Sequence, residues 1–442
     1  MMFKTKIVIT IIICILLFPQ VTSASIIHVV KKGESLWGIS NAYETSVEKL
    51  VNLNGLPYKD VINPGLTLLI PGNQYIVQPG ESIWEIAQRH STSIEKIKSA
   101  NGLEKNILFP NQKLAIPSSP KKEIFTGAFM VPEGEKANKS LLKQYKKLIS
   151  TIGFFEYHPD SQANLSEMPG EGTVKTAWKR NLIPYATITN LSSNGFDDEL
   201  AHQVIGNTDT RRKLINNIYS VLHENDYKGV IIDFEGIKNN DRRNFNLFIK
   251  ELAKRLHPVG MEVSVSLPPM QGDRYPDYYS GYDYKTLGKT VDSMFLMTYD
   301  WHWSGGPAGA IAPLGKVRET IEYAISAVPR SKVILGIPMY AYDWNIDNKE
   351  QKGSAYAQEH AIKLALDHGS VIHYNKETHQ PWFRYKDKNG DQHEVWFEDA
   401  RSILAKYRLV KDYNLYGMGG WKMGLSFPQA EQLLREEFKP RQ

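Results

Sequence analysis

At 442 residues the chain exceeds one ordinary domain, and a balance of 42% hydrophobic to 23% charged residues excludes a disordered or low-complexity protein. A formal net charge of +5 is too small to argue for nucleic acid and at most favours an anionic wall polymer. The only cysteine, Cys14, rules out a disulfide framework and any Cys-based metal site.

The chain opens with Lys4 and Lys6, an apolar run from Ile7 to Phe18, and the small-residue stretch Val21-Thr22-Ser23-Ala24. That order predicts an export signal over residues 1–24, removed after Ala24. The run is shorter than the roughly 20 residues a membrane span needs, so no membrane segment is expected after cleavage. Cys14 lies inside the signal and away from the cleavage point, which argues against a lipid-modified cysteine and leaves the exported chain without a thiol. The segment holds two lysines and no acid, so its removal takes the net charge from +5 to +3.

Residues 26–72 and 74–118 repeat each other. "HVVKKGESLWGISNAYETSVEKLVNLNGL" begins at His28 and "YIVQPGESIWEIAQRHSTSIEKIKSANGL" at Tyr75, so Gly33 pairs with Gly80, Trp37 with Trp84 and Asn54 with Asn101 at an offset of 47. Each copy predicts a short strand, a Gly-Glu-Ser turn into a helix capped by Ser35 or Ser82, a second helix ending at Asn-Gly, and a strand running into Ile-Pro. These βααβ units resemble the LysM module. The resemblance implies binding of N-acetylglucosamine-containing glycans such as peptidoglycan or chitin, with Gly33, Trp37, Asn54, Gly80, Trp84 and Asn101 as the module positions. Structural spacers, or one copy without binding, are the alternatives.

"SSPKKE" (Ser118 to Glu123) reads as a polar linker, placed at 119–123. Beyond it, "IFTGAFMV", "ISTIGFFEY", "LIPYATIT", "GVIIDFE", "EVSVSLP", "SMFLMTYD", "KVILGIPMY" and "GMGGW" alternate with amphipathic stretches such as Arg211–Asn225 and Arg243–Leu256. Strands alternating with helices over residues 124–438 predict an α/β fold, a (β/α)8 TIM barrel. "VIHYN", "WFRYKD" and "HEVWFE" predict a small α+β insertion over about 345–396, between the seventh and eighth strands, with a hairpin turn at Asn389-Gly390.

In "GVIIDFE", Asp233 and Glu235 are two residues apart and therefore share a strand face, with Ile231 one step deeper. They fall at the C-terminal end of the fourth strand, where barrel enzymes keep their chemistry. Like charges this close disfavour double ionisation, which yields one proton donor and one carboxylate. Alone, the pair reads more readily as a salt-bridged rim.

The other strand ends favour chemistry. "GVIIDFE", "FLMTYDW", "KVILGIPMYAYDW" and "GMGGWKMG" resemble the fourth, sixth, seventh and eighth strands of glycoside hydrolase family 18. The resemblance implies that Glu235 is the general acid, that Asp233 holds the N–H of the substrate's 2-acetamido group, and that Tyr299, helped by Asp300, donates to the acetamido carbonyl. Trp421 would form the apolar floor. The acetamido oxygen itself would attack the anomeric carbon with net retention, an exception to the two-carboxylate rule. This sequence departs from the family's Asp-x-x-Asp-x-Asp-x-Glu signature: Lys228 and Ile231 stand at its first two aspartates. LysM pairs ahead of such a barrel, with "FFEYHPD" and "GLSFPQ", resemble spore cortex and cell-wall N-acetylglucosaminidases of spore-forming bacteria.

Trp301, Trp303, Tyr340, Tyr342 and Trp344 either stack on sugars or pack the barrel mouth. His302 reads as a rim residue, and no metal or cofactor is expected, since the 12 histidines show no ligand spacing. The leading expectation is a monomeric exported hydrolase cleaving beside N-acetylglucosamine in peptidoglycan of the wall or spore cortex. A chitinase and a catalytically weak wall-binding lectin are the competing readings.

Overall fold

The structure, a computed structural model, describes residues 25–441 except 91, 119, 169–171, 273–275 and 349. The predicted export signal therefore lies outside the described residues. Each repeat forms strand, two helices, strand. The first uses Ile26–Val29, Leu36–Ala42, Val47–Asn54 and Thr67–Ile70, and the second Gln74–Ile76, Ile83–Arg89, Ile94–Asn101 and Lys113–Ala115. The two strands of each pair antiparallel. Ser35 and Ser82 cap their helices as expected, and Glu85 completes a capping box with Ser82.

The Asn-Gly corners are structural. Asn54 Nδ2 donates to the Leu50 and Leu69 carbonyls while its Oδ1 accepts from the Leu69 N–H, and Asn101 makes the same three bonds to Ile97 and Ala115. Gly55 and Gly102 end the helices at φ 60° and 62°, the left-handed cap that glycine adopts without a Cβ penalty.

The barrel strands are β1 (Lys122–Met130), β2 (Thr151–Tyr157), β3 (Ile183–Thr189), β4 (Gly229–Asp233), β5 (Glu262–Leu267), β6 (Ser293–Leu296), β7 (Val333–Pro338) and β8 (Gly417–Trp421). They pair in parallel and in order, and β8 returns to β1 to close the sheet. Predicted helices appear at Thr208–Glu224 and Arg242–Leu256 with their apolar faces buried against the strands. Strand β1 begins inside the expected linker because Phe438–Pro440 pairs with Lys122–Ile124.

The insertion is a five-stranded antiparallel sheet with one helix, Gln358–Asp367. It begins at Tyr340, ahead of the expected position near 345: Met339 N–H bonds the Trp421 carbonyl and ends β7, and Tyr340–Asn345 then turns to pair with Gln392–Trp396. Gly390, at φ 92°, makes the expected hairpin turn.

The first repeat is fused to this assembly rather than tethered to it. Ile26, Leu50 and Leu68 share one hydrophobic cluster with Ala341, Ile362, Phe383 and Phe397 of the insertion. Gln429 donates to Asn54 Oδ1 (3.0 Å) and the Thr67 carbonyl (2.7 Å), and accepts from Ala400 N–H (2.9 Å). Thr67 Oγ1 donates to Asp399 (2.7 Å), and Asn63 Nδ2 to the carbonyls of Ala365 and Ser370. Gly65 sits so close that a Cβ there would lie 1.8 Å from the Ile372 carbonyl oxygen. The second repeat rests on the first: Ile27 N–H donates to His90 Nε2 (3.1 Å), and the Gln78 amide contacts the buried His28 ring.

Candidate active site

Strand β4 sorts its residues by face. Val230, Ile232 and Phe234 pack outward into the helix layer, with Phe234 stacked on Phe248. Ile231 points into an apolar lumen layer with Phe129, Phe155, Phe295 and Ile334. Asp233 ends the strand just above that layer and is 5% exposed. Glu235 follows two residues later, outside the ladder, and needs a separate anchor. Asn190, just past β3, supplies it: its Oδ1 accepts the Glu235 N–H and its Nδ2 donates to the Glu235 carbonyl, both at 2.8 Å. The Tyr282 hydroxyl donates to the intervening Phe234 carbonyl at 2.6 Å.

Burial pushes both carboxyls up from the ordinary range, and each bears on the other's ionisation. For Asp233 burial dominates, the Ser266 hydroxyl beside it acts in the opposite sense, and the charge of Glu156 adds to the rise. For Glu235 burial is again largest, followed by the charges of Asp233 and Asp300. The pair therefore keeps a proton well above ordinary carboxylate pH. Asp233 Oδ1 and the Ser266 hydroxyl are both sealed from solvent and fall outside hydrogen-bond geometry with any protein group, although the Ser266 hydroxyl lies near enough to favour the charged Asp233. Buried polar atoms are normally satisfied, so an unpaired acceptor at a barrel mouth is a place prepared for a donor.

Tyr299 follows β6, its ring 6.2 Å from that of Tyr340. Burial and the surrounding acids hold its phenol well above its usual range, so it remains a proton-bearing donor. Asp300 sits at φ 63° and accepts hydrogen bonds from Tyr340 and Tyr342; its charge acts on both Glu235 and Tyr299. Trp421, at the end of β8, is partly exposed and lies against Phe155 (4.7 Å) and Phe129 (5.4 Å). The mouth thus gathers Asp233, Glu235, Tyr299, Asp300 and Trp421 from β4, β6 and β8.

The aromatic group divides. Tyr340, Tyr342 and Trp344 are buried on the first strand of the insertion and cluster with Trp396, forming a wall. Trp301 packs on the barrel core, and Trp303 is 52% exposed and free to meet a ligand. His302 bonds the Pro307 carbonyl at the rim. Lys228 lies at the opposite end of β4, where it pairs with Glu262 (3.3 Å) and bonds the Gly260 carbonyl. No group of three or more His, Cys, Asp or Glu among the described residues could hold a metal.

In the repeats, Trp37 and Trp84 are 72% and 58% exposed, while Asn54 and Asn101 spend their carboxamides internally. Asn54 is buried against the barrel, where its Oδ1 accepts from Gln429. Gly33 and Gly80 serve as positive-φ turns at 89° and 81°. Sequence reasoning missed Asn190, Ser266 and Glu156. None carries a spacing signal, since each reaches the site from a different strand.

Comparison with known proteins agrees with this geometry. The LysM domain model matches residues 28–71 and 75–117, and the model for glycosyl hydrolases family 18 matches residues 142–425. A cortical fragment-lytic enzyme of Bacillus subtilis (strain 168) is 36% identical over 93% of this chain and 98% of its own. One from Bacillus anthracis is 34% identical over 92% and 97%. The crystal structure of the Bacillus cereus spore cortex-lytic enzyme SleL superposes with a TM-score of 0.86 at 31% identity, covering 95% of this chain and 99% of that one. With a closed eightfold barrel, paired acids at the end of β4 and a matching family model over most of its length, this chain belongs to glycosyl hydrolases family 18 and is a glycosidase carrying two LysM domains.

Proposed function

We propose that the enzyme cleaves N-acetylglucosaminyl bonds in spore-cortex peptidoglycan or its fragments, outside the cytoplasm, by retaining, substrate-assisted catalysis. Glu235 protonates the glycosidic oxygen and, after the leaving group departs, accepts a proton from water. Asp233 receives the acetamido N–H and stabilises the positive charge that grows on that nitrogen as its oxygen attacks the anomeric carbon. Tyr299 donates to the acetamido oxygen, and Trp421 forms the apolar floor under the sugar.

The observation that carries this reading is the unpaired, buried Oδ1 of Asp233 beside a proton-retaining Glu235. An amide N–H satisfies that acceptor, and a 2-acetamido sugar brings one. The cortex assignment rests on the near full-length likeness to cortical fragment-lytic enzymes. The exposed Trp37 and Trp84 suit glycan contact by the repeats.

Release of reducing ends from cortex fragments and from chitin oligomers tests the reading, with Glu235→Gln as control. Faster release from cortex fragments, abolished in the control, supports it. Preference for chitin oligomers makes the enzyme a chitinase, and release from neither leaves a wall-binding lectin.

A further inference from the structure

The family signature has a carboxylate where this chain has Ile231, so Asp233 lacks its usual neighbour from the same strand. Strand β2 provides another. Phe154 pairs with Ala186 of β3 and Tyr157 with Ile188, so three steps on β2 face two on β3. This is a bulge, which inserts one extra residue and re-aims its side chain. Phe154 and Tyr157 both pack outward around Tyr227, at 6.0 and 6.3 Å. The two residues between them are Phe155 and Glu156. Phe155 turns into the lumen against Trp421. Glu156 lies in this shifted stretch with its side chain 20% exposed, and besides Glu235 it is the acid whose charge bears on Asp233.

We propose that Glu156 is a positioning residue that replaces, from β2, the carboxylate missing at Ile231, and sets the proton occupancy of the Asp233–Glu235 pair. The inference rests on the catalytic roles proposed above. The groups facing the pair are Ser266 on β5, Tyr279 and Tyr282 beyond it, Tyr299 and Asp300 past β6, and Glu156 itself. Glu156 in turn faces His158, whose Nδ1 is 3.7 Å away and has no hydrogen-bond partner. No other cation stands in reach of Glu156 among the described residues.

The active form of the pair holds one proton. The alkaline limb of kcat/KM is loss of that proton, and the acid limb is gain of a second. A nearby anion raises both. Burial lifts the Glu156 carboxyl itself, so it carries less charge at the acid limb than at the alkaline one. Glu156→Gln should therefore move the alkaline limb down by about one pH unit, and the acid limb less.

The test is the pH profile of kcat/KM on soluble cortex fragments for the parent, Glu156→Gln, Glu156→Asp and Glu235→Gln. The expected result is an alkaline limb about one unit lower in Glu156→Gln, which is roughly tenfold less activity above it, and recovered in Glu156→Asp. Unmoved limbs in Glu156→Gln, whatever its rate, overturn the inference. Should Glu156→Gln not fold, Glu156→Ala decides: an alkaline limb at the parental position in that variant overturns it as well. Near-parental activity in Glu235→Gln would instead sink the catalytic reading, so the two failures are distinguishable.

Discussion

Gln429→Ala should loosen the first repeat from the barrel. The side chain is 1% exposed and makes three hydrogen bonds, two of them across the seam. Removal leaves Asn54 Oδ1 satisfied by Leu69 N–H but strands the Thr67 carbonyl and the Ala400 N–H at the start of helix Ala400–Asp412. Each dry orphan costs about 1–3 kcal/mol, so the pair should cost about 2–6 kcal/mol, less whatever water recovers. Gln429→Glu is a second probe: it keeps the acceptor for Ala400 and sets a carboxylate against two oxygens. Limited proteolysis of the 72–122 region, followed by turnover on soluble fragments and on intact cortex, reads the outcome. Both variants should be cut faster and should lose activity on intact cortex while keeping it on soluble fragments, since tethering raises local concentration without touching the chemistry. Parental protease resistance in both would show that the seam contributes little and would refute the fused arrangement.

Glu235→Gln keeps shape but cannot give a proton, and turnover on cortex fragments should fall by about 10²–10⁴-fold with binding retained. Asp233→Asn should lower kcat far more than it raises KM, because its interaction strengthens as charge develops on the acetamido nitrogen; steady-state kinetics separate the two. Ile231→Asp places an acid in the Phe129–Phe155–Phe295 layer and should lower thermal stability while moving the pH limbs of kcat/KM, measured by scanning calorimetry and rate profiles. Trp84→Ala removes an exposed ring and should weaken pull-down on insoluble cortex without changing the rate on soluble fragments.

The barrel and the repeats were legible because both rest on local pattern. Apolar runs at strand spacing and an offset of 47 residues need no tertiary knowledge. The acids of β4 were readable for the same reason, two residues apart on one strand. Glu156 was not: an alternating reading of "FFEYH" sends it outward with Phe154, and the register shift against β3 that breaks this alternation is not written in the sequence. Asn190 was hidden because its partner is a backbone 45 residues away. The repeats misled in one respect. Their internal symmetry suggests two equivalent glycan modules, yet the corner around Asn54 is buried by Gln429, a contact 375 residues distant that no repeat comparison contains.

The central claim is that the substrate's own acetamido group is the nucleophile, held by Asp233. Inhibition by a cyclic N-acetylglucosamine thiazoline, a stable mimic of the oxazolinium ion, tests it most directly. Competitive inhibition of cortex-fragment cleavage by the parent enzyme is expected, with much weaker inhibition of Asp233→Asn. Failure of the thiazoline to inhibit the parent while cleavage proceeds would contradict it.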